Sequence, residues 1–432
     1  MTALGFYTRG VGATTTTFGT LPGRYLDIYA GQGAEEGILR MPEAREVASR
    51  DVPRHTSDFR ERVRAVVERE IAPRARAVDQ KAEFPRDGYL ALVRNGLYAT
   101  HVPVRYGGEG ASAPAAAVVV EEIARACAST SLVVSVTRLA TLPLLAHGRE
   151  SLREKYLQAV AKDGAIFSFA LSEPEAGSDP GAMRTRAVRD EGHFVLAGTK
   201  RWITNASEAQ YFLVFAVTEP DAPRNRISAF VVERDDPGVS VGAAEDKLGL
   251  RGSPTCEVHF DGVRVPAERL VGEPGSGLGI ALEALDHSRV SIAAQAVGIA
   301  QGALDCAAEY LGVRRQFGRQ IGEFQGLRFM VASMAMKLAA ARELTYAAAG
   351  HSESADESLR FFAAAAKCFA SDTAMEVTID AVQLLGGNGY TREFPVERMM
   401  RDAKATQIYE GTNQILRSVI AREVLPERPP TS

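Results

Sequence analysis

The sequence has few of the features that mark several common classes of protein. Four cysteines occur in 432 residues, at Cys127, Cys256, Cys306 and Cys368, and none forms a CxxC pair. Their wide spacing predicts buried, reduced thiols, as in a cytoplasmic protein, rather than disulfides. The HExxH sequence of zinc proteases and the GxSxG sequence of serine hydrolases are also absent. We therefore expect neither a metal site nor a hydrolytic triad.

Long runs of one charge and long apolar runs are missing as well. The 50 basic and 54 acidic side chains nearly balance, so we expect no nucleic-acid partner. The longest apolar run, "APAAAVVV" at 113–120, is too short to span a bilayer, and no membrane span is expected. Residues 1–55 contain "GATTTTFGT" and show little periodicity and no signal-peptide pattern. We expect them to form a disordered extension or to be an artefact of start-site choice.

The rest of the chain changes pattern twice. Residues 56–165 carry apolar residues at helical spacing, as in "DFRERVRAVVEREI". Residues 166–275 contain short β-rich runs such as "YFLVFAV" and "ISAFVVE", separated by turn residues. Residues 276–432 are helical again and rich in small residues. The pattern predicts an α+β fold with a helical N-terminal domain, a middle antiparallel β domain and a C-terminal helical bundle, in which the two helical parts pack together.

Two glycine-rich stretches raise the question of a cofactor site. "GEPGSGLG" (272–279) precedes a helix, but its glycine spacing does not match the GxGxxG of a Rossmann site. We interpret it as a domain linker and helix start. "QLLGGNGY" (383–390) fits either a plain turn or a place where backbone amides approach a ligand.

The middle of the chain holds a denser group of aromatic and polar residues. Its single tryptophan, Trp202, is followed by Thr204 and Asn205 at the end of a strand-like run. A lone tryptophan is more often a core residue, but an aromatic face beside a hydroxyl suits a flat heterocycle such as a flavin. "AGSD" (176–179) offers a glycine turn, a serine hydroxyl and free amides, which suit a phosphate.

Six stretches together resemble one family. "SEPEAGSD", "WITN", "LDHSR", "RRQFG", "QLLGGNGY" and "RDAKATQIYEGTNQI" are similar, in this order and over residues 56–425, to the acyl-CoA dehydrogenase family. The resemblance is especially to actinobacterial, short-chain-like members. The resemblance implies a three-part fold that binds FAD between the β domain and the C-terminal helices, with part of each site coming from a neighbouring subunit.

The same resemblance implies site residues by motif match. The residues expected to bind the cofactor are Phe169, Leu171, Ser172, Gly177, Ser178, Trp202, Ile203, Thr204, Arg314, Gln316, Phe317, Gln325, Gln383, Leu384, Gly386, Gly387, Thr412, Asn413 and Gln414. The residues expected on the substrate side are Ser178, Asp286, Arg289 and Gly411. Two positions depart from the family pattern, since Ser172 stands for threonine and Glu175 for glycine, and the second bears on the geometry of the turn.

Glu410, in "YEGTNQI", matches the catalytic base of the family. Removing an α-proton from an acyl thioester requires a base, and burial raises the pKa of a carboxyl toward the operating range. Gly411 beside it leaves the backbone open, so the Glu410 N–H can face the thioester oxygen. Thr412 or Asn413 then caps the last helix. Some family members carry the base on the helix that here holds "ALEALDHSR", which makes Glu283 the alternative candidate.

The resemblance implies an FAD-dependent acyl-CoA dehydrogenase that forms a trans-2-enoyl-CoA and passes electrons to an electron-transferring flavoprotein. A homotetramer and short straight or branched acyl groups are expected. Three alternatives stay open: an enzyme acting on carrier-protein-bound acyl groups, an oxygen-using flavin oxidase, and a non-catalytic acyl-thioester-binding scaffold. Arg138, in the helix expected to form the base of the acyl pocket, either extends to solvent, which we favour, or closes the pocket floor.

Overall fold

The computed structural model describes residues 55–222, 224–354 and 356–425, so the extension predicted at 1–55 lies outside the described residues apart from residue 55. The first part is helical. Its helices are α1 (His55–Val66), α2 (Ala75–Lys81), α3 (Arg86–Arg94), α4 (Ala113–Ala126), α5 (Ala128–His147), α6 (Glu150–Leu152) and α7 (Gln158–Asp163). The apolar spacing of the sequence explains this part, because Val63, Val66, Val67 and Ile71 all lie in the core.

A sheet follows in the middle of the chain. In the described residues its strands are β1 (Phe167–Ala170), β2 (Arg186–Asp190), β3 (His193–Thr204), β4 (Tyr211–Val217), β5 (Ile227–Glu233), β6 (Val239–Ala244), β7 (Thr255–Pro266) and β8 (Leu270–Val271). The strand order is β6-β7-β3-β2-β4-β5-β8, with β1 beside β4. Most pairs are antiparallel, whereas β4 runs parallel to β1 and to the start of β2. Strands β4 and β5 are buried along almost their whole length, as expected for strands of a sheet that is covered on both faces.

The last part is helical again. A hairpin of β9 (Arg315–Gln316) and β10 (Arg319–Gln320) follows the first long helix. The helices are α8 (Gly277–Val313), α9 (Gln325–Ser354), α10 (Leu359–Leu385), α11 (Val396–Thr406) and α12 (Asn413–Val424). Since α8 begins inside "GEPGSGLG", the interpretation of that stretch as a helix start is confirmed.

Helix α8 joins the two helical parts. It packs against α9, α10 and α11 of its own part and against α4 and α5 of the first part. The close approach to α4 depends on two glycines, because a Cβ at Gly298 would lie 2.2 Å from the Glu121 carbonyl oxygen and one at Gly302 would lie 2.2 Å from that of Arg125. The predicted α+β fold, and the packing of its two helical parts on each other, are confirmed.

Two helices in the described part of the chain, α5 and α8, are long and apolar enough to cross a membrane by length and composition. In each, 89% of the apolar window is buried inside the protein. Their apolar surfaces are therefore covered by neighbouring elements, as in core helices. The cysteines show the same inward placement, since all four are buried and free, which confirms the prediction of unpaired thiols.

Candidate active site

Glu410 lies in a tight turn between α11 and α12. Its φ is +53° and that of Gly411 is +95°, so two successive residues adopt left-handed backbone conformations. Gly411 takes this conformation without steric cost, whereas a glutamate does so only where its surroundings hold it. The turn ends in the cap of α12, where the Thr412 hydroxyl accepts a hydrogen bond from the Ile415 N–H at 3.3 Å. Of the two predicted caps, the structure therefore selects Thr412.

Two cations hold the backbone of this turn. Lys367, on α10, donates to the Gly411 carbonyl at 2.7 Å and to Oδ1 of Asn413 at 3.0 Å. Its side chain is fully buried, and burial lowers the pKa of Lys367 to about 8. Arg289, on α8, donates from Nε to the Glu410 carbonyl at 3.4 Å. These bonds anchor the main chain directly after the Glu410 Cα.

The two carboxyl oxygens of Glu410 have different surroundings. Oε1 accepts a hydrogen bond from the Ser288 hydroxyl at 3.0 Å. Oε2 is buried and has no hydrogen-bond partner among the described residues. Burial raises the pKa of Glu410 to about 7, against the opposing effects of the Ser288 hydrogen bond and the charges of Arg289, Lys367 and Arg138. A carboxyl with one oriented oxygen, one unpartnered oxygen and a pKa near neutrality has the properties of a general base.

Glu283, the alternative base, faces elsewhere. Its half-exposed carboxylate pairs with Nε2 of His147 at 2.8 Å. Ser288 contacts Glu410 instead, and since a helix turns about 100° per residue, side chains five positions apart point roughly 140° apart. The structure thus contradicts the placement of Glu283 near the site. Ser288 has no predicted role from the sequence, where its position directly before Arg289 is the signal that it lies near the site.

The predicted substrate-side residues Asp286 and Arg289 lie on α8, beside the turn that carries Glu410. The two side chains form an ion pair on α8, and Asp286 also accepts from Nε of Arg360 at 3.5 Å. Both residues are more than nine-tenths buried. In this chain the pair supports the Arg289 contact to the Glu410 backbone, and a contact with the CoA part of a substrate stays a prediction.

Residues predicted to face a flavin lie where β1 and β3 end side by side. Phe169 is on β1, and Leu171 and Ser172 follow it. The Ser172 carbonyl accepts from the Arg201 N–H at 2.9 Å, which ties the segment after β1 to β3. Thr204 ends β3, and its carbonyl accepts from the Ser168 hydroxyl at 2.8 Å.

Trp202 does not enter the core. Its side chain is 53% exposed, its φ is +64°, and the register of β3 against β7 shifts between Lys200 and Ile203. Such an irregularity redirects a side chain out of the alternating pattern of a strand. The general expectation for a lone tryptophan is therefore wrong here, and the indole forms an exposed aromatic surface, with the Arg201 guanidinium 4.6 Å from its ring centre. Ile203, next in sequence, is buried.

The "SEPEAGSD" turn is held by Glu173. Its buried carboxylate accepts from the N–H groups of Arg184 and Thr185 at 2.6 and 3.0 Å, and from Nζ of Lys200 at 2.8 Å. Glu175, the departure from the family pattern, is exposed, ion-paired with Arg184 and not in a left-handed conformation. A glutamate is therefore accommodated there. Gly177 and Ser178 beyond it are exposed, with open space at the Gly177 Cα.

The remaining predicted cofactor residues lie at chain turns. Arg314, Gln316 and Phe317 surround the β9–β10 hairpin, where Phe317 is 92% exposed, and Gln325 begins α9. Gln383, Leu384, Gly386 and Gly387 lie at the end of α10; both glycines have open space at the Cα, whereas Leu384 is buried. At the start of α12 Gln414 is exposed. Asn413, unlike Gln414, is buried. Its Nδ2 donates to the Ser371 hydroxyl at 2.9 Å and to Oδ1 of Asp372 at 2.8 Å, so this side chain forms hydrogen bonds inside the protein.

Arg138 is buried, with only 5% of its surface exposed. The favoured interpretation, in which it extends to solvent, is wrong. Nη1 donates to the Ser291 hydroxyl at 3.3 Å and to the His287 carbonyl at 3.5 Å, on the turn of α8 that also carries Ser288. The side chain turns inward because α8 covers this face of α5. Arg138 therefore lies on the side of the α5–α8 pair that faces Glu410.

Comparison with known proteins agrees with this architecture. Models of the acyl-CoA dehydrogenase N-terminal, middle and C-terminal domains match residues 53–163, 168–263 and 275–425. The probable acyl-CoA dehydrogenase FadE25 of Mycobacterium tuberculosis is 53% identical over 374 residues, which cover 87% of this chain and 96% of that protein.

Solved structures are similar over the same region. Butyryl-CoA dehydrogenase from Megasphaera elsdenii superposes with a TM-score of 0.84 at 37% identity, over 87% of this chain and 99% of that one. A chain from the structure described as the electron transferring flavoprotein of Acidaminococcus fermentans superposes with a TM-score of 0.85 at 40% identity, over 87% and 99% of the two chains. The chain therefore belongs to the acyl-CoA dehydrogenase family and is an oxidoreductase that acts on acyl-CoA.

Proposed function

We propose that this protein removes the α-proton and the β-hydride of a short-chain acyl-CoA to form a trans-2-enoyl-CoA, with Glu410 as the base. The observation that carries the proposal is the Glu410 carboxyl, which is buried, oriented through Oε1 by Ser288 and unpartnered at Oε2. An α-proton of a thioester is only weakly acidic, so its removal needs a base with a pKa near the working pH. The raised pKa of Glu410, about 7, meets that need.

The backbone beside Glu410 supports the second requirement of the reaction. Negative charge develops on the thioester oxygen as the α-proton leaves, and fixed donors stabilise it. Within the described chain the Glu410 N–H makes no backbone hydrogen bond, so it remains available to this oxygen. Arg289 and Lys367 restrain the turn that carries this N–H, because they bind the next two carbonyl groups along the chain, those of Glu410 and Gly411.

FAD is the cofactor that we infer. Trp202 and Thr204 would lie along its ring, and Gly386 and Gly387 would allow close approach of the backbone. The fit rests on two features of the chain: the exposed, outward-turned indole of Trp202 and the open space at Gly177, Gly386 and Gly387. When bound, FAD supplies the hydride acceptor at N5.

Short acyl groups are proposed because Arg138 lies in the part of the protein where the acyl chain would extend beyond Glu410. A long alkyl chain would have to cover a guanidinium that is already buried, and further desolvation of a charge is costly. The similarity to butyryl-CoA dehydrogenase points the same way.

We further infer a homotetramer in the cytoplasm that passes electrons to an electron-transferring flavoprotein. The exposed hairpin around Phe317 supports an assembly, since a 92% exposed phenylalanine at a fixed turn suits a subunit contact. The chain's likeness to a chain in an electron transferring flavoprotein structure supports the choice of partner.

Anaerobic flavin bleaching tests the reaction. Purified protein would be mixed with butyryl-, isobutyryl-, octanoyl- and palmitoyl-CoA, and the absorbance near 450 nm followed for wild type and Glu410→Gln. Rapid bleaching of wild type by a short acyl-CoA, with an unbleached variant, is the expected result. Absence of bleaching by every acyl-CoA would leave a carrier-protein substrate or a scaffold role, and rapid reoxidation in air with release of peroxide would indicate an oxidase.

A further inference from the structure

Arg138 is a buried cation with too few partners. Its hydrogen bonds in the described structure come from Nη1 alone and are long, at 3.3 Å to the Ser291 hydroxyl and 3.5 Å to the His287 carbonyl. Among the described residues Nε is buried without a partner, and Arg138 forms no ion pair with a carboxylate. A guanidinium with five donors normally binds carboxylates in pairs of hydrogen bonds when it is buried.

The carboxylates around Arg138 have other partners or stay at a distance. Glu353 accepts the Ala113 N–H at 2.5 Å, and Glu410 accepts the Ser288 hydroxyl at 3.0 Å. Burial lowers the pKa of Arg138 to about 10, which the charges of Glu410 and Glu353 oppose, so the guanidinium stays charged at neutral pH. The cation is therefore permanent and incompletely paired.

A second unpartnered polar atom lies near Arg138. His101 binds the Thr141 hydroxyl through Nε2 at 2.7 Å, while its Nδ1 is buried and has no partner among the residues that the structure describes. Burial, followed by the charge of Arg138, lowers the pKa of His101 to about 3, so this imidazole is neutral. Thr141 and Arg138 are neighbours on one face of α5, one turn apart. The face of α5 near Glu410 thus presents polar atoms where an alkyl chain would need apolar ones.

Burying a charge without a partner is costly, and a cation retained in such a place indicates that an anion occupies it in the working state. Glu410 cannot serve as this anion, because it must receive the α-proton. We propose that Arg138 binds a carboxylate at the far end of the acyl chain, so that the preferred substrates are ω-carboxyacyl-CoA thioesters. The inference rests on the proposed function and leaves the dehydrogenation step unchanged: the α-proton passes to Glu410 and the hydride to the flavin.

The test compares thioesters of equal length that differ only at the end. Glutaryl-CoA and pentanoyl-CoA have the same carbon count, with a carboxylate in one and a methyl group in the other. Anaerobic flavin reduction would be measured for wild type, Arg138→Met, Arg138→Lys and the control Arg264→Met, which removes a half-exposed arginine on β7. Flavin content and thermal unfolding would show whether each variant is folded.

Wild type is expected to reduce its flavin with glutaryl-CoA at least about tenfold more efficiently than with pentanoyl-CoA, the lower end expected for a hydrogen-bonded charge pair. Arg138→Met should lower that ratio by roughly 10- to 100-fold while the reaction with pentanoyl-CoA persists, and Arg138→Lys should keep part of the preference. Arg264→Met should behave as wild type.

A wild type that prefers pentanoyl-CoA, or a ratio unchanged in Arg138→Met, would overturn the inference. If Arg138→Met does not fold, the preference of wild type for glutaryl-CoA over pentanoyl-CoA decides whether the inference stands. Failure of the proposed function is a separate result, since butyryl-CoA would then fail to bleach wild type. Bleaching by butyryl-CoA, lost in Glu410→Gln, with no preference for a terminal carboxylate, would reject only the role of Arg138.

Discussion

The Ser288 hydroxyl donates to Oε1 of Glu410 at 3.0 Å, across 122 residues of sequence, while Oε2 of the same carboxyl has no partner among the described residues. The bond fixes the carboxyl plane and leaves one oxygen free for a proton. A carboxyl bonded at both oxygens would be a weaker base, because hydrogen bonds to the charged form lower its pKa. The single hydrogen bond from Ser288 therefore orients the Glu410 carboxyl, while the lack of a second bond keeps its pKa high.

Replacing Glu410 by glutamine should abolish flavin reduction. Glutamine keeps the size of the side chain and can still accept from Ser288, but it cannot take up the α-proton. The rate of anaerobic bleaching should fall by about 10²- to 10⁴-fold, the usual contribution of a general base. Glu283→Gln is the matched control, since it removes a half-exposed carboxylate on the neighbouring helix, and it should stay within about twofold of wild type. Equal losses in both variants would contradict the assignment.

The rate should also depend on pH in a defined direction. Because burial raises the pKa of Glu410 from 4.5 to about 7, the base is protonated and inactive in more acidic solution, and kcat/KM should fall about tenfold per pH unit below that value. The Ser288 hydrogen bond lowers this pKa, so Ser288→Ala should move the acid limb to higher pH. The measurement is a pH profile of kcat/KM with the exposed Ser354→Ala as control. A limb that moves to lower pH in Ser288→Ala would refute the proposed role of the hydroxyl.

The parts predicted well from the sequence share one property, which is contiguity. Glu410, Gly411 and Thr412 follow one another, so a single segment of the sequence holds the buried carboxyl, the left-handed glycine and the helix cap, whereas the role of Glu410 as the base stays a prediction. The change from helical to β and back to helical patterns likewise extends over many residues. The roles of the cofactor residues stay predictions, because each depends on a ligand or a neighbouring subunit, and the domain limits at 165 and 275 stay predictions as well.

The features that the sequence pattern does not predict depend on contacts between distant segments. Arg138 looks like a residue that extends to solvent until α8 covers it. Lys367 is the single charged residue in the apolar segment "AAAAKCFA", and this pattern indicates that a cation is buried there. Trp202 faces outward because β3 is irregular against β7, and pairing between strands some fifty residues apart in sequence cannot be derived from the local pattern.

Lys367 is a positioning residue whose loss should affect kcat more than KM. Without its bonds to the Gly411 carbonyl and the Asn413 amide, the turn that carries Glu410 loses an anchor. Small displacements of a reacting group cost up to about 10²-fold in rate, so Lys367→Met should lower kcat toward that extent. Lys367→Arg keeps the charge and should restore part of the rate. A purely structural lysine would instead lower thermal stability and leave the kcat of the folded fraction unchanged.

Removing one partner of the buried ion pair between Lys200 and Glu173 should cost far more stability than removing one partner of a surface pair. Nζ of Lys200 lies 2.8 Å from the Glu173 carboxylate, with 0% and 5% of the two side chains exposed. Lys200→Met would leave a buried carboxylate without its cation, which costs about 3–5 kcal/mol of unfolding free energy. The double variant with Glu173→Gln removes the unpaired charge and should recover part of the loss.

The pair Lys337–Glu376 has the same chemistry with 48% and 55% of its side chains exposed, so Lys337→Met should cost at most about 1 kcal/mol. Denaturant unfolding of the FAD-saturated protein measures all three variants, and similar losses for Lys200→Met and Lys337→Met would show that burial does not strengthen the pair.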